Sequence, residues 1–178
     1  MFIHPTAIIY PGVIIEPGAY IGEYCIIGSP PEWKGYEHIE GLVLIMSGAR
    51  LTGLVTVDSG TDKRTIIGKD CLLLKKSHVG HDAIICEGTT LSCNSIVGGH
   101  TIVGKHCNIG LGAILHQKIK IPDYVMIGMG GIVTKKSNLE SFKIYAGNPV
   151  KYLSDNKVMM EKFKKQYDWH IQNRISER

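Results

Sequence analysis

The sequence predicts an all-β fold, a parallel β-helix of hexapeptide coils with a short C-terminal α-helix. Three observations carry this expectation. Aliphatic residues recur six apart over most of residues 1–136. Glycine supplies 21 of 178 residues, about 12% against a usual ~7%, and aromatics only 7%. A period of six matches neither the 3.6 of a helix nor the alternation of a long strand, so each hexad reads as a very short strand plus a corner. Three such sides close a triangular coil. Stacked coils then pair each strand with the one three hexads on, at a parallel-strand spacing of ~4.8 Å, and line the aliphatics into a dry column.

In chain order, Ile3, Ile9, Ile15, Ile21 and Ile27 open the series. Residues 29–43, SPPEWKGYEHIEGLV, lack the pattern, begin with Pro-Pro and carry Trp33 and Tyr36, so a protruding loop is expected. Ile45, Leu51 and Val57 resume the register, and the polar residues 58–66 hold a slip that marks a second loop. From Ile67 to Val133 every sixth residue is aliphatic. Glycine often follows the aliphatic, as in Gly22, Gly68, Gly80, Gly98 and Gly110, where the backbone needs room or positive φ. Four residues after it the side chain is small or β-branched, which makes Cys25, Cys71 and Cys107 core spacers. The pattern stops after Lys136. Ala146 to Tyr152, AGNPVKY, reads as a turn, and Met159, Phe163, Tyr167 and Ile171 recur at four-residue spacing on a charged segment, the mark of one amphipathic helix. The expected organisation is a β-helix over 1–136 with loop excursions at 29–43 and 58–66, then a connecting turn and helix over 137–178.

Composition narrows the function classes. Lys+Arg 20 less Asp+Glu 16 leaves a charge of +4, too small a surplus for a dedicated nucleic-acid or membrane-surface protein. No apolar run approaches the ~18–20 residues of a membrane span. The N-terminal Met-Phe-Ile-His-Pro carries no basic n-region. Five cysteines without a Cys-x-x-Cys pair suggest neither a disulfide framework nor a thiol zinc site, so a cytoplasmic location is expected.

The histidines carry the chemistry. With the sides lettered A from Val79, B from Ile85 and C from Leu91, the winding places His81, His100, His116 and Gln117 on side A. His78 falls at the corner just before it, and His106 on side B. The set spans on the order of 10 Å. His81 is followed by Asp82, a carboxylate able to orient an imidazole and support its protonated form, as a general base requires. Gly98-Gly99 precedes His100, and a backbone amide there is suited to a developing oxyanion. Taken one at a time, a satisfied corner histidine, an Asp cap and a tight Gly-Gly turn are the plainer readings.

The repeat, together with HVGHDAIICEGTTL, IVGGHTIVG, IGLGAILHQ and IGSPPEWKGYE, resembles the left-handed β-helix acyltransferases, in particular the UDP-N-acetylglucosamine O-acyltransferases and the nucleotide-sugar N-acyltransferases. The repeat alone speaks for the fold; HxxHD with the downstream GGH and HQ is the specific part. The resemblance implies a left-handed coil and transfer of an acyl group from acyl-CoA or an acyl carrier protein to the amine or hydroxyl of a nucleotide-linked sugar. It makes His81 the general base, Asp82 its orienting partner and the Gly99 N–H the oxyanion donor. It places His78, His100, His116 and Gln117 around the substrates, Glu32 and Lys34 near the sugar, and Met129 as an acyl-chain ruler that favours a short chain. It also implies a homotrimer with the site between subunits, no bound cofactor and no metal. Lys75, Lys76, Lys118, Lys120, Lys135 and Lys136 are candidates to meet donor phosphates or an acidic carrier protein.

Two other classes compete. Prisms of this kind also occur as zinc hydratases resembling γ-carbonic anhydrase, which bind metal through three histidines, but Cys86 stands where a histidine five residues after one like His81 is expected. A non-catalytic structural β-helix would leave HxxHD, GGH and HQ without a role.

Overall fold

Most hexads contribute a two-residue strand and a turn, with one large aliphatic and the small residue two before it facing inward, as Ile85 and Ala83 do. His78–Val79, Ile84–Ile85 and Thr90–Leu91 are three successive examples, one per side, and in each the second residue is buried. In this computed structural model, which describes residues 1–32, 34 and 42–165, the strands form three sheets of seven, six and nine strands, corresponding to sides A, B and C and parallel throughout except for the last strand of side C. The register follows the repeat: Val79 lies beside Val97, Ile85 beside Val103, and Leu91 beside Ile109. Together they form the expected left-handed β-helix.

The core is the column of inward aliphatics. Ile21, Ile45, Leu51, Ile67, Leu73, Ile85, Leu91, Ile109, Ile121 and Ile127 are wholly buried, each contributing about 1.5–3 kcal/mol relative to exposure. Cys25, Cys71 and Cys107 pack between them. Burial pushes the Cys71 thiol up to about 11 and the Cys107 thiol to about 12, so both stay protonated spacers.

The repeated glycines serve room more than φ. Gly22, Gly68, Gly80, Gly98 and Gly110 are not left-handed. A Cβ on Gly98 would lie 2.6 Å from the Gln117 backbone nitrogen of the next coil, and one on Gly68 or Gly110 would lie 2.6 Å from a carbonyl oxygen. The left-handed residue sits two positions later in the hexad, at Asp82 (φ 57), His100 (φ 58) and Lys118 (φ 59).

Both inserted segments leave the prism at the edge between sides A and B. The first connects Ile26–Ser29 to Val43–Ile45, the second Thr56–Asp58 to Thr65–Ile67. Their feet are tied together, since Ser59 N–H donates to Ser29 O (2.8 Å) and Leu42 N–H to Ser59 Oγ (2.9 Å). Trp33 and Tyr36 lie outside the described residues.

Beyond Lys136 the expected connecting turn is a hairpin. Lys143–Ala146 adds to side C beside Met126–Ile127, and Lys151–Asp155 returns antiparallel to it. Of 146–152 only 147–150 are turn, because Ile144 and Tyr145 extend the ladder of the coil below. A helix occupies 157–165, opened by Asn156, whose Oδ1 accepts the Met159 N–H at 3.3 Å. Phe163 packs edge-on against Tyr124 and Phe142. Tyr167 and Ile171 lie outside the described residues. No helix among the described residues is long and apolar enough to cross a membrane.

Candidate active site

The A/B edge stacks its turn residues in two rows. Counting by coil, His81 lies below Gly99, Gln117 and Lys135, while Asp82 lies below His100, Lys118 and Lys136. A cleft of about 440 Å³ opens there, lined by Thr61, Asp62, His81, His100, Gln117 and Lys118. His81, His100 and Gln117 therefore belong to the turns between sides A and B, not to side A itself. His78, expected at a corner, is instead in a side A strand.

Asp82 is the anchor of the cleft. Its side chain is wholly buried, and Oδ2 meets His81 Nδ1 at 2.8 Å. The second loop wraps it with donors: Thr61 Oγ1 donates to Oδ2 at 2.7 Å, Lys63 N–H to Oδ1 at 2.9 Å, and Thr61 N–H to Oδ1 at 3.0 Å. Burial pushes the Asp82 carboxyl up, but the hydrogen bonds from His81, Thr61 and Lys63 outweigh it and hold the group well below the usual carboxylate range. A carboxylate that stays ionised has no proton to offer, so His81 Nδ1 carries the shared hydrogen, and in the neutral form of the ring Nε2 holds the lone pair. Nε2 has no hydrogen-bond partner among the described residues.

Gly99 lies one coil above that imidazole, against its Nε2. A Cβ there would lie 2.7 Å from His81 Nε2, so only glycine leaves the ring its place. The Gly99 N–H donates to no acceptor among the described residues, although its carbonyl accepts from Lys118 N–H at 2.9 Å. His100 closes one wall, its ring edge-on to His81 with centroids 4.9 Å apart and its Nε2 3.7 Å from Asp82 Oδ2.

A second imidazole–carboxylate pair lies one strand away. His78 shares a hydrogen bond with Thr56 Oγ1 at 2.8 Å through Nδ1, and its Nε2 is 3.7 Å from Asp58 Oδ2. Burial pushes the Asp58 carboxyl up, against the pull of His78 and the Ser29 hydroxyl. Sequence reasoning passed over Asp58, Thr61 and Lys63 because they stand in the slipped segment, where the hexad register says nothing of position. The available signal was the slip itself, which adds residues at the one edge that holds the histidines.

The remaining predicted residues are not brought into the cleft. His116 is exposed, with Nδ1 2.8 Å from Gln117 O. Glu32 and Lys34 are exposed in the first loop, Glu32 near enough to Asp58 to raise it electrostatically. Met129 is 74% exposed on another edge, in the turn between side C and side A strands, because it stands 48 residues after His81, and one edge recurs only every 18.

His81, Asp82 and His100 offer ligand atoms within 4.8 Å of one another, a set sized for a cation. Both Asp82 oxygens already accept from the loop and from His81. The carboxylate is thus built to hold an imidazole, and a cation would have to displace those donors.

No protein-family model matches the chain. It is 27% identical over 129 residues to the acyl-acyl-carrier-protein–UDP-N-acetylglucosamine O-acyltransferase of Campylobacter concisus (strain 13826), covering 70% of this chain and 48% of that protein. To the UDP-3-O-acylglucosamine N-acyltransferase of Campylobacter lari it is 28% identical over 141 residues, covering 74% and 43%. The chain spans about half the length of the curated relatives it matches. The crystal structure of UDP-N-acetylglucosamine O-acyltransferase from Moraxella catarrhalis RH4 superposes with a TM-score of 0.74 at 26% identity, over 90% of this chain and 77% of that one. In sequence and in fold, the chain is similar to the hexapeptide-repeat left-handed β-helix acyltransferases.

Proposed function

We propose that the protein transfers a short acyl group from a thioester to the amine or hydroxyl of a nucleotide-linked sugar, with His81 as general base. The observation that carries this reading is the His81 imidazole, tied at Nδ1 to an ionised Asp82 and open at Nε2 beneath Gly99. Nε2 takes the proton as the sugar nitrogen or oxygen attacks the thioester carbonyl, forming the new C–N or C–O bond. Asp82 stabilises the imidazolium, and the Gly99 N–H receives the oxyanion of the tetrahedral intermediate. As the C–S bond breaks, the imidazolium returns its proton to the departing thiolate. His78, His100, His116 and Gln117 are the groups we assign to substrate binding, and Glu32 and Lys34, exposed in the first loop, to contacts with the sugar.

A homotrimer is part of the same reading. Outward isoleucines flank the histidine edge on both sides, among them Ile96 and Ile114 on side A and Ile102 on side B, a run of apolar surface of the kind that marks an interface. It also gives Met129 a role. One copy's Met129 edge can meet the acyl chain only at a neighbour's histidine edge. The substrates in this reading are cytoplasmic, which places the enzyme there.

The test is thioester consumption with a panel of nucleotide sugars, in wild type and His81→Ala. Turnover should fall by a factor of ~10²–10⁴ in the variant and be unchanged by a chelator in wild type. Full transfer rate in His81→Ala would remove the mechanism; loss of activity on chelation would favour the zinc reading instead.

A further inference from the structure

Two aspartates beside the histidines have opposite environments. Asp82 is ringed by the donors of the second loop and stays ionised. Asp58, at the foot of that loop, is buried but poorly supplied. Its Oδ1 accepts one long hydrogen bond from Ser29 Oγ at 3.3 Å, and Oδ2 accepts none among the described residues, since His78 Nε2 stands 3.7 Å away. Burial pushes the Asp58 carboxyl up and Glu32 adds to the push, while His78, the Ser29 hydroxyl and His81 pull the other way. Two carboxyls driven apart in proton affinity mark two different roles in acid–base chemistry.

The second pair is open to a ligand, with 35% of the His78 side chain and 12% of the Asp58 side chain exposed. Oδ2 and Nε2 are too far apart to bond each other and too close to admit a water between them. A donor lying beside both can reach each at ~2.9 Å. His81 follows His78 by three residues, at most ~10 Å of chain, and is near enough to act on the Asp58 charge. The hydrogens of the acceptor group then decide its class. A hydroxyl has one, which His81 Nε2 takes, and it leaves the second pair nothing to accept. An amine that arrives as an ammonium has three. It must lose one proton to free its lone pair and a second as the C–N bond forms, so it needs two bases where a hydroxyl needs one.

We propose that the acceptor is the amine of an amino sugar, and that the His78–Asp58 pair binds it as an ammonium and removes its first proton. The proposal rests on the acyltransferase reading above. The pair takes one proton from the ammonium and leaves a neutral amine. The nitrogen attacks the thioester carbonyl, His81 takes the second proton, and the thiolate leaves with that proton as the C–S bond breaks. The first proton passes from the exposed His78 ring to water, so the products are amide, thiol and one released proton.

Thioester consumption with paired nucleotide sugars tests it, the members of a pair differing only in a free amine or a hydroxyl at one carbon. The amine should be acylated at least ~100-fold faster. A sugar amine that titrates near pH ~8, as an α-amino group does, is about one-tenth free base at pH 7. Asp58→Asn and His78→Gln should therefore lose ~10-fold in kcat/KM at pH 7 and recover most of it by pH 9, where the substrate sheds its own proton. His81→Ala should stay low at both. A loss of the same size at pH 7 and pH 9 would mean a structural role only and would overturn the proposal, as would faster acylation of the hydroxyl sugar. Preference for the hydroxyl leaves acyl transfer standing, whereas thioester consumption with neither member of any pair overturns both. The wild-type comparison needs no variant, so it decides the matter even where Asp58→Asn fails to fold.

Discussion

At the scale of single residues, the cleft depends on a carboxylate that remains charged. Asp82 has its carboxyl held down by His81, Thr61 and Lys63 against the push of burial. A group lowered on folding adds stability that is present above its unfolded value of about 3.9 and is lost as pH falls below it. The protein should therefore lose stability in urea below about pH 4, and Asp82→Asn should flatten that acid limb. The same variant should lower turnover by up to ~10⁴, as happens when the orienting partner of a catalytic imidazole no longer selects its tautomer. An unchanged acid limb together with full turnover would mean that Asp82 neither holds the loop nor orients His81.

At the scale of the coil, two adjacent glycines should separate function from folding. Gly98 and Gly99 differ in what a methyl would meet: the Gln117 backbone nitrogen at 2.6 Å for the first, the His81 ring at 2.7 Å for the second. Neither is left-handed, so alanine costs no φ strain at either. Gly98→Ala must force neighbouring coils apart and should destabilise by about 1–3 kcal/mol in urea. Gly99→Ala should displace only an imidazole, keeping most of the stability while losing turnover. Equal melting temperatures and equal rates for the two variants would contradict this division. The repeat made both glycines conspicuous, yet it could not say which one faced backbone and which faced a catalytic ring.

For the whole molecule, the histidine edge and the Met129 edge are different edges of one prism. If copies associate to bring them together, sedimentation should report three times the 19.6 kDa chain mass. Ile96→Glu/Ile114→Glu, which buries or repels charge on side A, should give a slower monomer with depressed transfer. A wild-type monomer with full activity would remove both the trimer and the ruler role of Met129. The hairpin at Lys143–Asp155 and the helix at 157–165 meet the prism on the other side of the coil, where Tyr124 and Phe142 stack at 4.5 Å, so their truncation should be read in stability before activity.

The sequence by itself determined the winding, since a six-residue aliphatic period reads as short strands closing a triangular coil, and with the winding it gathered His81, His100 and Gln117 on one side of the prism, which the structure moves to the turns between sides A and B. Only the tertiary structure decided how the second loop folds back to supply Thr61 and Lys63, which keep Asp82 ionised. It also decided that His78 pairs with Asp58 and that Met129 stands on a different edge. The physical reason is that periodicity encodes which way a side chain faces within a coil, whereas an inserted loop has no period, and its hydrogen bonds exist only once distant coils are stacked.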